Sequence, residues 1–207
     1  MKVLSIVSQK GGVGKSLLSV NLATTAANSR ETILGVDLEP QASSANWGDL
    51  REDDNDKLTI QSAQHSRLPK VLDSAKKSGA TFVIIDTAPH SESAALSAIR
   101  AADFVIIPCR PAFFDIQSVA TTIDLANISK KKASIVLNAV PPLGPMGDEA
   151  EAALKELGAE VAPVRIHQRV AFVHAQKSGK AALEYDAEGK ATQEIKDLYR
   201  WIKRKMP

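Results

Sequence analysis

The feature that most constrains this chain is a glycine-rich segment, QKGGVGKS at 9–16, that lies between two regular elements. The run from Val3 to Val7 has the β-branched, apolar character of a buried parallel strand, and the segment from Leu17 to Ala27 carries apolar residues at helical spacing. Because glycines lack a Cβ, successive backbone N–H groups can turn inward there, and the start of the following helix adds partial positive charge. The segment therefore predicts a phosphate-binding site.

Two side chains of this segment suit the phosphates of a nucleotide. We expect the Lys15 ammonium to reach the β- and γ-phosphates and the Ser16 hydroxyl to ligate Mg²⁺. The alternative is a glycine-rich turn without a ligand, but such a pattern arises by chance in a chain of this length about once in ten thousand or less. Gln9 stands where the general pattern of such loops has glycine, and Lys10 adds a second cation.

Strand-like apolar runs alternate with helix-like segments along the chain, at 3–7, 32–36, 82–85, 104–107, 134–137 and, more weakly, 161–166. This alternation predicts an α/β fold of the P-loop NTPase kind, with a mostly parallel sheet and helices on both faces. The length of 207 residues fits a single domain over 1–207. Ligands of such sheets bind at the carboxyl ends of the strands, and polar segments at 10–16, 37–41 and 86–89 each follow a strand.

Composition excludes several classes of protein. The single Cys109 rules out a disulfide framework and paired-cysteine cluster sites, and without an apolar run of about 18 residues or a signal peptide we expect a cytoplasmic protein. Residues 165–207 hold 10 Lys and Arg against 5 Asp and Glu, whereas residues 1–164 hold 16 against 19. This basic C-terminal region indicates a polyanionic partner or, alternatively, a solvated helix surface. The acidic stretch 51–57 is expected to be a solvated loop.

These motifs resemble those of a known family. QKGGVGKS resembles the deviant Walker A motif of the ParA/MinD ATPases, TILGVDLEPQ at 32–41 resembles their switch I segment, and FVIIDTAP at 82–89 resembles their Walker B motif with switch II. The match in order and spacing covers nearly all of the chain. It is nearest to the small plasmid-partition ParA proteins that lack an N-terminal DNA-reading domain. The resemblance implies that Lys10 reaches across a dimer interface to the nucleotide of the partner subunit.

The resemblance also implies ATP and Mg²⁺ as cofactors and assigns residues to them. The phosphate cradle is expected to comprise Gly11, Gly12, Val13, Gly14, Lys15, Ser16 and Leu17. The metal shell is expected to involve Ser16, Asp37 and Asp86, and the adenine site Asn138, Pro163 and Arg165. An aspartate or asparagine that ends a strand is otherwise a cap or turn residue. The residues expected to act in hydrolysis are Lys10, Lys15 and Glu39; the last stands where the family has aspartate, which leaves the hydrolysis rate open.

A further implication concerns partners. ParA-like proteins form a homodimer when ATP-bound, coat nonspecific DNA and work with a centromere-binding or cargo adaptor protein that stimulates hydrolysis, so we expect a cytoplasmic, nucleoid-associated protein. Arg169 stands near where the family places a DNA-contacting arginine. The other candidates for this surface are Lys177, Lys180, Lys196, Arg200, Lys203 and Arg204.

A MinD-like membrane switch is the main alternative. On a helix, residues 194–206 would place Ile195, Leu198, Tyr199, Ile202 and Met206 on one side and basic residues on the other, as membrane-surface helices do. We expect this apolar side to pack on the sheet instead, because the stripe is narrow and lacks a phenylalanine-rich tip. A metabolic P-loop ligase would share the fold but gives no reason for Lys10.

Overall fold

A computed structural model of the chain describes residues 1–51 and 57–207. The strands are β1 (Lys2–Ile6), β2 (Ile33–Asp37), β3 (Leu58–Ser62), β4 (Phe82–Asp86), β5 (Phe104–Cys109) and β6 (Ala133–Leu137). They form one sheet in the order β3-β2-β4-β1-β5-β6, and every neighbouring pair is parallel. The predicted α/β fold with a parallel sheet is confirmed.

Helices connect the strands and complete the C-terminal part of the chain. Those within the described residues are α1 (Lys15–Asn28), α2 (Ser43–Asp49), α3 (Leu68–Lys77), α4 (Glu92–Ala101), α5 (Phe113–Ile128), α6 (Met146–Glu156), α7 (Val170–Lys177), α8 (Ala182–Tyr185) and α9 (Lys190–Lys205). A short 3₁₀ helix, His65–Arg67, precedes α3. Since each parallel strand needs a crossover to its neighbour, the loops that leave β1, β2, β4, β5 and β6 all emerge at one edge of the sheet.

The strands alternate their side chains between two hydrophobic cores, one on each face of the sheet. Val83 and Ile85 of β4 point into the core covered by α3, α4, α5 and α6. Phe82 and Ile84 of the same strand point into the core covered by α1, α7, α8 and α9. This two-sided burial explains why β4 reads as a continuous apolar run, as in sheets covered on both faces. Helices on both faces are thus confirmed.

The observed elements differ from the predicted ones in three places. β3 was not predicted, because its sequence LTIQS is largely exposed at the sheet edge and lacks the apolar run of the inner strands. The weak run at 161–166 is not a strand and contributes only an isolated bridge between Val161 and Ile135. α1 begins at Lys15, two residues earlier than the apolar spacing indicates. The predicted acidic loop at 51–57 lies largely outside the described residues.

The apolar side of α9 packs inside the protein, as predicted. Ile195, Leu198, Tyr199 and Ile202 of α9 are buried, and so is Met206, which follows the helix. Tyr199 meets Phe82 edge to face with ring centroids 6.1 Å apart. Among the described residues, the helices include none that is both long and apolar enough to cross a lipid bilayer.

Candidate functional site

The glycine-rich loop joins β1 to α1 and is closed on one side by Asn138. Gly14 has a φ of 91°, a left-handed conformation that favours glycine. A Cβ at this position would lie 2.1 Å from the Asn138 side-chain nitrogen. That amide donates a hydrogen bond of 2.7 Å to the Val13 carbonyl oxygen, so the end of β6 is tied directly to the loop. The local backbone therefore requires glycine at position 14.

Lys15 is buried at the start of α1, with its side chain folded back into the loop. Its Nζ donates a hydrogen bond to the Lys10 carbonyl oxygen at 3.1 Å. Burial lowers the pKa of the Lys15 ammonium, while the negative charges of Asp86 and Glu39 act in the opposite direction. The ammonium thus lies among the loop and two carboxylates, where a phosphate would replace a neutral carbonyl as its acceptor.

Asp37 and Asp86 end two neighbouring strands and stand opposite each other in the ladder. The Asp37 carboxylate accepts hydrogen bonds from the backbone N–H groups of Glu39 at 2.9 Å, Ser44 at 2.8 Å and Ala45 at 3.1 Å. These bonds fix the turn after β2 and satisfy N–H groups at the start of α2. Asp37 therefore holds the predicted switch I segment in place, and its role in a metal shell stays a prediction.

Asp86 is fully buried, and its carboxylate is only partly satisfied by hydrogen bonds. One carboxylate oxygen accepts a hydrogen bond of 2.5 Å from the Ser44 hydroxyl, whereas the other, Oδ1, is buried without a hydrogen-bond partner. Burial raises the pKa of Asp86 to about 7; the Ser16 and Ser44 hydroxyls oppose this, and the nearby Asp37 adds to it. An unsatisfied buried oxygen in a native protein is a place where an ion or water is expected.

The donor set around Asp86 fits magnesium. Ser16 and Asp86 provide a hydroxyl and a carboxylate, the oxygen ligands that Mg²⁺ uses together with substrate phosphates. No cluster of three or more His, Cys, Asp or Glu side chains that could hold a metal exists in residues 1–51 and 57–207. Two protein ligands are compatible with Mg²⁺, which keeps several waters and takes further oxygens from substrate phosphates.

Lys10 contacts its own chain in this structure. Its Nζ lies 3.4 Å from Oδ1 of Asp115, a residue in the first turn of α5, and Arg110 Nε lies 2.5 Å from the other oxygen. Burial alone would raise the pKa of the Asp115 carboxyl, but Arg110 and Lys10 outweigh it and leave that pKa below its ordinary value. Neither Asp115 nor Arg110 was predicted from the sequence. Their position just after β5, at the carboxyl edge, is the signal that would have indicated them.

Glu39 follows β2 and is close enough to Lys15 for its negative charge to raise the pKa of that ammonium. Its carboxylate accepts a hydrogen bond of 3.2 Å from Ser43 at the start of α2. A cavity of about 760 Å³ borders Asp37 and Glu39 and extends toward the segment 61–67. No residue of the glycine-rich loop lines this cavity, so it is distinct from the phosphate cradle.

The other two residues assigned to the adenine site lie in the segment between α6 and α7. Pro163 is exposed. Arg165 forms ion pairs with Asp148 at 2.8 Å and Glu151 at 2.6 Å, which anchor this segment to α6. Their role toward adenine stays a prediction.

Several of the basic residues assigned to a DNA surface are already ion-paired. Arg169 pairs with Glu194 at 2.5 Å, Lys203 pairs with Glu31 at 2.6 Å, and Arg200 pairs with Asp197 on its own helix. The Lys196 ammonium donates to the Ala187 carbonyl oxygen at 3.3 Å. Three others are exposed and form no ion pair with the described part of the chain: Lys177, Lys180 and Arg204.

Comparison with known proteins places this geometry in a family. The model of the CobQ/CobB/MinD/ParA nucleotide binding domain matches residues 4–183. The maintenance of carboxysome distribution protein A of Gloeobacter kilaueensis is 32% identical over 206 residues, covering 97% of this chain and 92% of that protein.

Solved structures share the fold at lower identity. A variant of Cyanothece McdA in complex with ATP has a TM-score of 0.80 and 17% identity, with 98% of this chain and 96% of that chain covered. The MinC:MinD cell division protein complex of Aquifex aeolicus has a TM-score of 0.83 and 20% identity, with 99% and 96% covered. The resemblance found in the sequence motifs is confirmed, and the chain belongs to the CobQ/CobB/MinD/ParA family of nucleotide-binding domains.

Proposed function

We propose that this chain is a Mg²⁺-dependent ATPase of the ParA type. In this proposal its ATP-bound form dimerises, binds DNA without sequence preference and positions a cargo together with an adaptor protein that stimulates hydrolysis. The observation that carries the proposal is the pair of buried charges, Lys15 and Asp86, beside the glycine-rich loop and the Ser16 hydroxyl. The likeness to a carboxysome distribution protein and to McdA bound to ATP supports it.

Each residue of the site has a role that follows from its position. Bound Mg²⁺ would supply positive charge to the phosphates, held by Ser16 and by the unpaired oxygen of Asp86. Lys15 would exchange the Lys10 carbonyl for phosphate oxygens, a stronger, charge-assisted acceptor. Glu39, whose charge acts on Lys15, would orient the attacking water. Asp37 would keep this segment in position through the backbone of α2.

A protein that alternates between an ATP-bound dimer and a free monomer benefits from slow ATP hydrolysis. We expect a basal turnover well below the ordinary enzyme range of roughly 1 s⁻¹ and above, because the ATP-bound state must persist until an adaptor arrives. Glu39 has one methylene more than the aspartate expected there by resemblance. In this structure the Glu39 carboxylate accepts a hydrogen bond from Ser43, and a slow rate is expected because this bond competes with the orientation of a water.

DNA binding is proposed to rest on the exposed cations of the face built by α7, α8 and α9. Lys177 and Lys180 flank the turn after α7, and both are exposed. Arg169 contributes less net charge than its sequence position indicates, because Glu194 neutralises it. Each exposed cation is weak alone, but a dimer presents every contact twice to the same duplex.

The experiment measures DNA binding against salt in the presence of Mg²⁺ and a nonhydrolysable ATP analogue. We expect binding that requires the analogue and is lost by a few hundred millimolar salt. The double variant Lys177→Ala/Lys180→Ala removes four cations per dimer and should make the slope of log affinity against log salt shallower by about 3.6, at about 0.9 per phosphate contact. The matched control is Lys76→Ala/Lys77→Ala, two exposed lysines on the opposite face of the sheet.

Two outcomes would contradict the proposal. One is binding that does not depend on the analogue, or that both double variants weaken equally. The other is binding to anionic liposomes in the same buffer without binding to DNA, which would favour a membrane switch. The structure argues against that alternative, because the apolar side of α9 is occupied by the protein's own core.

A further inference from the structure

Two adjacent phenylalanines at the start of α5 are exposed to solvent. Phe113 is 69% exposed and Phe114 is 74% exposed, and their rings meet edge to face with centroids 5.5 Å apart. Single exposed apolar side chains are ordinary, but contiguous exposed apolar surface marks an interaction site. Phenylalanine is also enriched in the cores of protein interfaces. The pair is therefore a candidate docking surface.

The position of Phe113 and Phe114 beside Asp115 indicates which partner would bury the two rings. Asp115 follows Phe114 directly, and its carboxylate contacts Lys10. The two rings thus stand within one helical turn of the residue that holds Lys10, at the sheet edge from which the phosphate-binding loop emerges. If Lys10 acts on the nucleotide of a second copy, the surface around Lys10 must face that copy. A contact between two identical chains buries the same patch on both.

The charges beside the rings permit Lys10 to leave. The Lys10 side chain is 35% exposed, whereas that of Asp115 is 3% exposed. When Lys10 departs, Arg110 still pairs with Asp115 at 2.5 Å, so no buried carboxylate is left without a partner. An uncompensated buried charge would be strongly destabilising. The Arg110–Asp115 pair therefore keeps the first turn of α5 intact in either position of the lysine.

We propose that Phe113 and Phe114 form a self-docking surface that packs against the nucleotide-binding edge of a second copy of this chain when Lys10 is transferred from Asp115 to the partner's nucleotide. The inference rests on the proposed function and adds the apolar contact that the charged residues alone do not provide. Rings packed around the crossing lysine also exclude water, which strengthens its interaction with phosphate.

The test compares Phe113→Ser/Phe114→Ser with Ile128→Ser, which changes a 75% exposed side chain at the far end of the same helix. Sedimentation velocity over a range of protein concentrations, with Mg²⁺ and a nonhydrolysable ATP analogue, gives the dimer dissociation constant. We expect the double variant to dimerise roughly thirtyfold more weakly or worse, as for central interface aromatics, and Ile128→Ser to match the wild type. Binding of fluorescent ATP to dilute monomer should be unchanged in both.

The outcomes separate this inference from the proposed function. A wild type that stays monomeric with the analogue contradicts the ATP-dependent dimer itself. A wild type that dimerises, together with a double variant that dimerises equally well, overturns the self-docking surface alone. A double variant that keeps its dimer but loses DNA or anionic-liposome binding assigns the rings to another partner and also overturns it. Circular dichroism checks folding, and Phe114→Ser alone repeats the comparison if the double variant unfolds.

Discussion

Replacing Asp86 with asparagine should change how the stability of the nucleotide-free protein depends on pH. Burial raises the pKa of Asp86 from 3.8 to about 7. An acid whose pKa is higher in the folded state than in the unfolded state favours folding while it is protonated. This contribution is complete below pH 3.8 and is lost as the pH rises through 7. Asparagine does not titrate, so the variant lacks this loss.

The magnitude follows from the size of the shift. A rise from 3.8 to about 7 is roughly 3 pKa units, and each unit corresponds to about 1.36 kcal/mol, so the full effect approaches about 4 kcal/mol. Roughly 3 kcal/mol of it falls between pH 5 and pH 8, on either side of the folded-state value. The amide adds an unsatisfied buried donor near the position of Oδ1, which costs about 1–3 kcal/mol at every pH. Only the contribution from the titration of Asp86 varies with pH, whereas the cost of the unsatisfied amide does not.

Urea unfolding of both proteins from pH 5 to pH 8, in buffer with a chelator and without nucleotide, separates the two quantities. We expect the stability of wild type relative to Asp86→Asn to fall by about 3 kcal/mol across this range. The control is Asp73→Asn, which removes an exposed carboxylate on α3 and should not reproduce this fall. If the Asp86→Asn difference is flat, the carboxylate is already ionised at pH 5 and the site is not primed for a cation by burial.

Three further predictions concern the loop that we propose binds phosphate. Lys15→Ala should weaken binding of fluorescent ATP roughly 10- to 100-fold, as for a lost charge-assisted contact, and unchanged affinity would contradict the phosphate cradle. Lys10→Ala should bind ATP as a monomer but, by light scattering with the analogue, fail to dimerise; normal dimers and turnover would refute its transfer between subunits. Gly14→Ala should lower thermal stability more than Gly12→Ala, because both have positive φ but only the former meets Asn138; equal losses would show that backbone strain alone matters.

The strands and helices were predictable where burial in the core requires a regular pattern of apolar residues in the sequence. β4 and β5 are buried on both faces, so they consist mainly of the apolar runs at 82–85 and 104–107 from which the sequence predicts these strands. β3 is not predicted from the sequence. It is an edge strand stabilised mainly by its backbone hydrogen bonds to β2, and these bonds do not require an apolar pattern of side chains. The apolar side of α9 was assigned to the core because five residues recur at helical spacing, and all five are buried.

Parts of the site were predictable from local sequence: the loop from its consecutive glycines, and Asp86 and Asn138 from their positions at the ends of apolar strands. Lys15 and Ser16 are indicated by the glycines beside them, since loop geometry and phosphate chemistry act within a few residues. The contact partner of Lys10 was not predictable in this way. The sequence indicates a surplus cation near phosphate, but the carboxylate that it meets is Asp115, more than a hundred residues away, and only the adjacency of β1 and β5 brings them to 3.4 Å. Whether Lys10 acts within its own chain or on a partner depends on whether its contact with Asp115 or its contact with the partner's nucleotide is stronger once nucleotide is bound. The Arg110–Asp115 ion pair lowers the free-energy cost of moving Lys10 away, because it leaves Asp115 with a cationic partner.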